Sequence, residues 1–173
     1  MTSPAEPRRV TGREQEISEL RELARGTRLL TLCGPAGIGK TRLLDALLPA
    51  LTGGHPDGSV LAGLADLTQP RLVPARVAQE AGICEEPGIP VMDTLAGALR
   101  HRRLVLGLDG CERLPEASAC LARKLLAAAP GLLIVAASRK PLGAPGEIVW
   151  TVPPLTLPPA GQPAPDRDRK SVV

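Results

Sequence analysis

Residues 34–41 of the 173-residue chain read Gly34-Pro35-Ala36-Gly37-Ile38-Gly39-Lys40-Thr41. The stretch matches the phosphate-binding (Walker A) pattern G-x-x-x-x-G-K-[ST] in full. Its glycines allow backbone N–H groups to turn inward around a phosphate, and a helix after it adds the positive end of its dipole. We expect Lys40 to reach the β- and γ-phosphates and Thr41 to offer its hydroxyl to Mg²⁺. The alternative is a glycine-rich turn that fits the pattern by chance.

The segments on both sides of this loop argue against chance. Residues 28–33 form a short apolar run typical of a buried strand, and the leucines of residues 39–48 recur at helical spacing. Pro49 is expected to end that helix, because proline has no backbone N–H. Upstream, Thr11 and Glu14 have the spacing of a capping box that begins another helix. The loop is therefore expected between a strand and a helix, as phosphate binding requires.

Farther along the chain, apolar strand patterns alternate with helical ones. The predicted strands cover residues 59–67, 104–108, 132–137 and 148–152, and the predicted helices cover residues 72–81, 91–100 and 115–129. Apolar strands that alternate with helices indicate a parallel sheet covered on both faces. We therefore predict an α/β domain over residues 9–157, with the three-layer P-loop NTPase fold and a five-stranded, mainly parallel sheet.

The two ends of the chain depart from this pattern. Residues 1–8 are polar and are predicted to form a flexible N-terminus, and the proline-rich residues 158–173 are predicted to be a disordered tail. No apolar segment follows Arg8 and Arg9, so we expect no signal peptide. The longest apolar stretch is broken by charges and by a proline, so we expect no membrane span. These features predict a cytoplasmic protein.

Composition excludes several classes of function. Hydrophobic residues make up 43% of the chain, but Phe and Tyr are absent and Trp150 is the one aromatic residue. Binding of bases on aromatic platforms is therefore excluded. A net charge of +3 is weak for a nucleic-acid domain, so we expect no direct DNA binding by this segment. The four cysteines include no C-x-x-C pair, and we expect them to be free thiols, with no zinc site.

Two polar residues follow predicted strands. Asp109 comes directly after residues 104–108, and Arg139 follows the next strand along the chain. Ligands of open parallel sheets bind beyond the carboxyl ends of strands, so both residues are expected near the loop. Asp109 would then complete the Mg²⁺ site and Arg139 would sense the γ-phosphate. The alternatives are a loop-capping carboxylate and a solvated charge. The side chain of Glu112 fits two roles, polarising an attacking water or standing at the start of a helix.

Several stretches together resemble one family. They are Val10-Thr11-Gly12-Arg13-Glu14, the loop with the following Arg42-Leu43, residues 104–112, and the run from Ala137 to Gly143 that continues to Trp150. The combination resembles the STAND class of P-loop ATPases. More narrowly, it resembles the NB-ARC-like domain of large bacterial transcriptional regulators of the AfsR/SARP and LuxR types. The resemblance covers about residues 9–157.

The resemblance implies a site for ATP or ADP with Mg²⁺. Val10 and Arg13 would lie against the adenine. The phosphates would be bound by Gly34, Pro35, Ala36, Gly37, Ile38, Gly39, Lys40, Thr41 and Arg42. Thr41 and Asp109 would hold the metal, and Lys40, Asp109 and Arg139 would carry any phosphoryl chemistry. Such proteins are switches, ADP-bound when closed and ATP-bound and often oligomeric when open, and attached domains supply the output.

Two departures from the family shape the functional prediction. Gly110 stands where the family commonly has a second polar or acidic residue, which argues against efficient hydrolysis. The chain beyond residue 157 does not resemble the family's helical lid and winged-helix segments, so we expect a shortened relative or a piece of one. We predict an ATP/ADP-binding switch domain of a transcriptional regulator, with slow or absent hydrolysis. Protein partners or self-association are expected in the ATP state.

Two alternative functions remain open. A small P-loop kinase would need a second-substrate pocket and a mobile lid with arginines, and no lid-like insertion is seen. A non-catalytic form of the fold that only contacts a partner is favoured by Gly110. The intact Lys40-Thr41 pair opposes it.

Overall fold

Helices and strands mostly alternate along residues 13–154, the part of the chain that the computed structural model describes. The elements are α1 (Glu14–Arg25), β1 (Leu29–Cys33), α2 (Lys40–Leu51), β2 (Ser59–Gly63), α3 (Leu72–Glu80), α4 (Val91–Leu99), β3 (Val105–Asp109), α5 (Pro115–Ala128), β4 (Leu133–Ser138) and β5 (Glu147–Thr151). Short 3₁₀ turns follow α2 and β3. No helix within residues 13–154 is long and apolar enough to cross a membrane.

The five strands form one sheet in the order β2-β3-β4-β1-β5. Every neighbouring pair is parallel, with Leu29 opposite Ile134 on one side and Glu147 on the other. The predicted five-stranded α/β sheet is confirmed. Because the strands are parallel, the carboxyl ends of β1, β3 and β4 meet at one edge of the sheet, and the loops that follow them lie together there.

Aliphatic side chains fill a layer on each face of the sheet. One cluster packs α1 and α2 against the sheet, and the other packs α3, α4 and α5. Strand residues alternate between them: Val105 belongs to the α2 side, whereas Leu106 and Leu108 belong to the other side. The same alternation directs Asp109 to the α2 side. Each fully buried leucine or valine stabilises the fold by about 1.5–3 kcal/mol.

Pro49 does not end its helix, so that prediction was wrong. The helix α2 continues to Leu51 with Pro49 inside its last turn. The hydroxyl of Thr52 donates to the carbonyl of Pro49 at 2.7 Å, and the backbone N–H of Thr52 bonds the same oxygen. Leu51 is buried in the α2-side cluster. Packing of this leucine and the bonds to Thr52 offset the missing N–H of proline.

Two other predicted boundaries were also wrong. The helix α1 begins at Glu14 with Arg13 at its N-cap, two residues later than a capping box at Thr11 requires, and Thr11 lies outside the described residues. Glu14 and Glu16 instead place negative charge in the first turn, where it complements the helix dipole. Strand β2 ends at Gly63, four residues before the predicted end, and the chain then turns, with the backbone N–H of Leu67 donating to the carbonyl of Leu64 at 3.1 Å.

Candidate functional site

The loop between β1 and α2 presents backbone donors at the carboxyl edge of the sheet. Gly37 and Gly39 have φ angles of +80° and +94°, values that side chains rarely tolerate. Gly39 is also the N-cap of α2, and no side chain caps this helix. The first N–H groups of a helix have no partner within it, so those of Lys40, Thr41 and Arg42 are available to an anion. The geometry of residues 34–41 suits phosphate.

Lys40 lies inside the loop. Its Nζ donates to the carbonyl oxygens of Gly34 at 2.8 Å and Pro35 at 3.0 Å, and the residue is 8% exposed. A buried ammonium is costly unless its hydrogen bonds are satisfied, and these carbonyls satisfy it. Both acceptors are neutral, so the positive charge of the lysine is not cancelled by a carboxylate. The ammonium therefore brings a positive charge to the place where phosphates would lie.

Thr41 and Asp109 come together at the mouth of the loop. The Thr41 hydroxyl lies 2.9 Å and 3.1 Å from the two carboxylate oxygens of Asp109. Thr41 is in the first turn of α2, and Asp109 is the last residue of β3. The sequence predicted that Thr41 and Asp109 share one site. The structure places their side chains within hydrogen-bond distance of each other, as that prediction requires. Arg42, next along α2, is exposed.

The environment of Asp109 fits a bound divalent cation. Burial raises the pKa of its carboxyl group, and the nearby carboxylates of Glu112 and Asp45 raise it further, although the hydrogen bond from Thr41 opposes this. No cation pairs with Asp109 among residues 13–154. Mg²⁺ typically uses one or two protein oxygens and completes its shell with water and phosphate. In the described part of the chain, no three His, Cys, Asp or Glu side chains cluster as a metal cage.

Arg139 follows the strand that adjoins the loop. Ser138 accepts a hydrogen bond from Gly34 at 3.3 Å, so Arg139 leaves the sheet beside the first residue of the loop. Its side chain is 59% exposed and lies 3.9 Å from Oε1 of Glu112. The other oxygen of Glu112 is buried without a hydrogen-bond partner within residues 13–154. Arg139 therefore lies beside Glu112, which comes three residues after Asp109 in the sequence.

Arg13 has contacts that sequence reasoning missed. It is only 2% exposed, and its guanidinium donates to the carbonyls of Ile38 and Pro153 at 3.1 Å each. It also pairs with Glu16 at 3.2 Å. Contact of Arg13 with adenine stays a prediction, and Val10 lies outside the described residues. No spacing rule connects residue 13 with residue 153, so the sequence carried no signal for this link.

Gly110 is a steric requirement of the site. Its φ is +79°, and a Cβ atom placed there would lie 2.9 Å from the backbone nitrogen and the Cβ of Ala65. Arg113 holds the same segment by donating to the carbonyl of Ala65 at 3.1 Å. A polar or acidic side chain at position 110 would displace the loop after β2. The departure noted in the sequence thus has a structural cause.

Burial governs the ionisation of the two cysteines near the site, Cys33 and Cys111. All four cysteines of the chain are free, as predicted. Burial raises the pKa of Cys111 to about 12, and its Sγ contacts the carbonyl of Leu108 at 3.5 Å. Burial also raises the pKa of Cys33, and Glu147 adds to the effect. A raised pKa disfavours the thiolate, which is the nucleophilic form of a cysteine.

The sequence matches a known domain family. The sequence profile of the AAA ATPase domain matches residues 9–135. The chain belongs to the AAA ATPase domain family. The loop of residues 34–41 and Asp109, which ends the strand β3, both lie within the matched part of this AAA ATPase domain.

Relatives of this AAA ATPase domain occur in mycobacteria. It is 41% identical over 138 residues to a Mycobacterium tuberculosis protein provisionally named an HTH-type transcriptional regulator. The match covers 80% of this chain and 15% of that protein. An uncharacterized protein of Mycobacterium tuberculosis is 36% identical over 146 residues, with 84% of this chain and 37% of that protein covered. The chain thus spans less than two fifths of the length of either relative.

Solved structures share the fold of this AAA ATPase domain. The ORC2 protein of Aeropyrum pernix, solved as ADPNP-ADP complexes, superposes with a TM-score of 0.58 at 13% identity, over 79% of this chain and 43% of that one. A STAND protein with a tetratricopeptide repeat sensor from Pyrococcus horikoshii gives 0.52 at 18% identity, over 87% and 25%. These likenesses establish the P-loop NTPase fold and nothing finer.

Proposed function

We propose that the domain binds ATP and ADP with Mg²⁺ and serves as the switch of a larger regulator. The observation that carries the proposal is the hydrogen bond from Thr41 to Asp109 at the mouth of the loop. A hydroxyl and a carboxylate at this place are the two protein ligands that a nucleotide-bound Mg²⁺ needs in a P-loop protein. Lys40, 2.8 Å from the Gly34 carbonyl, would exchange its carbonyl partners for phosphate oxygens.

Binding would use the backbone donors of the loop together with charge. The N–H groups at the start of α2 and the left-handed glycines suit the β-phosphate. Mg²⁺ held by Thr41 and Asp109 would neutralise the charge on the nucleotide. Within residues 13–154 the exposed side chain of Arg139 pairs with Glu112 alone, at 3.9 Å, which leaves it able to turn toward a γ-phosphate. In this proposal Arg139 distinguishes ATP from ADP.

Hydrolysis would be slow in this account. Gly110 supplies no side chain to orient a water at the position directly after Asp109, and the 2.9 Å approach of Ala65 keeps that position closed to larger residues. What remains is phosphate positioning and charge neutralisation, which make up most of P-loop catalysis but need an oriented water to be effective. A slow or absent hydrolytic step suits a switch whose bound nucleotide sets its state.

The names of a sequence relative and of a structural neighbour support a regulatory role. One relative is named as an HTH-type transcriptional regulator, and one structural neighbour combines this fold with a sensor of tetratricopeptide repeats. We infer that protein contacts or self-association in the ATP state carry the output. Direct DNA binding by this segment is not part of the proposal, because its net charge is only +3. We place the protein in the cytoplasm.

Calorimetric titration tests the binding proposal. The purified chain would be titrated with ATP and with ADP, each with and without Mg²⁺, beside Lys40→Ala. Lys124→Ala is the matched control, since Lys124 is exposed on α5 on the opposite side of the sheet. We expect binding by the wild type and the control, and at least a hundredfold loss for Lys40→Ala, in keeping with loss of a charged phosphate contact. No binding by the folded wild type would contradict the proposal.

The rival functions predict other results in the same series. A partner-binding form of the fold, favoured by Gly110, predicts that a folded wild type ignores nucleotide. A small kinase predicts that radiolabelled γ-phosphate moves from ATP to one of a panel of small acceptors. We expect nucleotide binding and no such transfer.

A further inference from the structure

The guanidinium of Arg13 joins three parts of the chain that are far apart in sequence. Arg13 is the N-cap residue of α1. Its guanidinium donates through Nη2 to the carbonyl of Ile38 in the phosphate loop and through Nη1 to the carbonyl of Pro153 just after β5. Glu16 balances its charge. The residue is 2% exposed. Position 13 is therefore a buried cross-link between the loop and the segment that leaves the sheet.

An arginine suits this place better than any other side chain. Burying a cation costs several kcal/mol unless its donors are satisfied. A buried arginine that positioned no other group would therefore only destabilise the fold. Its planar fork carries donors that reach two carbonyls in different directions at once, whereas a lysine ammonium is a compact point charge. The Ile38 carbonyl lies one residue before Gly39, whose φ of +94° sets the turn into α2. Fixing that carbonyl fixes the orientation of the adjoining peptide plane.

A second set of contacts ties the other end of the loop to the same segment. The backbone N–H of Val152 donates to the carbonyl of Cys33 at 2.7 Å. Gly34 neighbours the same residue, since a Cβ atom placed at Gly34 would lie 3.6 Å from the Cβ of Val152, an ordinary contact distance. The segment after β5 therefore touches the start of the loop directly and its end through Arg13. A change in the shape of the loop must move this segment or break one of these bonds.

We propose that Arg13 is a positioning residue that holds the phosphate loop in its binding shape and couples that shape to the segment after β5. The proposal rests on the nucleotide site proposed above, and it assigns Arg13 to the loop and not to the adenine. Its consequence is that nucleotide occupancy is passed to residues 152–154 through the carbonyls of Ile38 and Pro153.

The test separates loop positioning from contact with the base by using two ligands. Affinities for ATP and for inorganic tripolyphosphate, both with Mg²⁺, would be measured for Arg13→Gln and Arg13→Lys. The control is Arg25→Gln, because Arg25 lies on the same helix in a similar pair with Glu22, three residues away, but is 70% exposed. Thermal unfolding would set a measuring temperature at which every variant is folded. Arg13→Lys keeps the charge should Arg13→Gln fail to fold.

Loop positioning predicts that both ligands weaken by the same factor, about ten- to hundredfold, the usual range for loss of a group that orients binding residues. Lysine should restore little of this, and the control should match the wild type. Unchanged affinities would overturn the proposal. A loss confined to ATP would also overturn it, since the residue would then act on the base. So would a wild type that binds ATP but not tripolyphosphate. A wild type that binds neither ligand overturns the nucleotide site itself.

The coupling has its own readout in hydrogen exchange. In the wild type, ADP with Mg²⁺ should slow exchange at the amide of Val152, which bonds the Cys33 carbonyl. In Arg13→Lys at saturating ADP this slowing should be lost. If ADP protects the amide of Val152 equally in both proteins, the coupling is contradicted, because the response to nucleotide then does not pass through Arg13.

Discussion

Thr41 donates its hydroxyl hydrogen to the carboxylate of Asp109, although β4 lies between the strands that carry the two residues into the site. The contact exists because the side chain of Asp109 points to the α2 face of the sheet and Thr41 is in the first turn of α2. The sheet thereby sets the spacing of the two side chains that we propose as ligands of a cation. Preorganised ligands reduce the ordering that binding would otherwise require.

Replacing the carboxylate of Asp109 should reduce the effect of Mg²⁺ on the affinity for ATP. In Asp109→Asn we expect Mg²⁺ to tighten ATP binding much less than in the wild type, because a neutral amide holds the cation more weakly than a carboxylate does. The wild type should bind about tenfold or more tightly with Mg²⁺. Calorimetry measures both values, and Asp93→Asn, at an exposed position on α4, is the control. A wild-type Kd indifferent to Mg²⁺ would count against this assignment.

The raised pKa of Asp109 predicts how stability changes with pH. A carboxyl group whose pKa is higher in the folded than in the unfolded state binds more protons when folded, so stability falls as pH rises from the ordinary value through the raised one. Without Mg²⁺ at neutral pH, Asp109→Asn should therefore melt at a higher temperature than the wild type. The gap should close below about pH 4, where the unfolded group is also protonated. A less stable variant at neutral pH would contradict this.

A comparison of alanine variants at Gly110 and Gly58 separates the stability cost of backbone strain from that of a steric clash. Both have positive φ, +79° and +85°, but only Gly110 has atoms within 3 Å of an added Cβ. Alanine at either position should cost about 1–2 kcal/mol for the left-handed backbone. At Gly110 the clash with Ala65 should add about 1–3 kcal/mol. Urea unfolding of the two variants gives the comparison, and equal losses would show that the Ala65 contact relaxes freely.

Thiol labelling reports the burial of the cysteines. Cys84 is exposed, whereas Cys111 is fully buried with a pKa raised to about 12. Iodoacetamide at pH 8 should modify Cys84 in the folded protein and leave Cys111 untouched until the chain unfolds. Peptide mass spectrometry after timed quenching measures both rates. Comparable rates in the folded protein would mean that the 3₁₀ turn at residues 111–113 opens readily.

Local patterns predicted the parts of the site that depend on local geometry. The loop at residues 34–41 and Asp109 follow from strand endings and glycine spacing, and the structure brings Thr41 and Asp109 within hydrogen-bond distance. The contacts of Arg13 could not be predicted in this way. They join residues 140 apart through a backbone carbonyl, a group that every residue has and that no side-chain pattern marks.

Helix ends were harder to predict than helices. Pro49 was expected to stop α2, yet burial of Leu51 and the hydrogen bonds of Thr52 extend the helix past it. Proline propensity is a local energy of about 3 kcal/mol in a helix interior, and it weighs less in a last turn where tertiary packing and a cap compensate. The absence of a side chain at position 110 was visible in the sequence, but its cause, Ala65, was not.

Backbone amide NMR during titration with ADP and Mg²⁺ tests the central claim most directly. The account predicts that the largest shifts fall on the amides of residues 36–41, because those N–H groups would bond the phosphates. Val152 should shift with them. Shifts centred elsewhere would contradict the account, for example in the groove beside α3 lined by Leu72, Arg76 and Ile83. So would the absence of any shift in a folded chain at millimolar ADP.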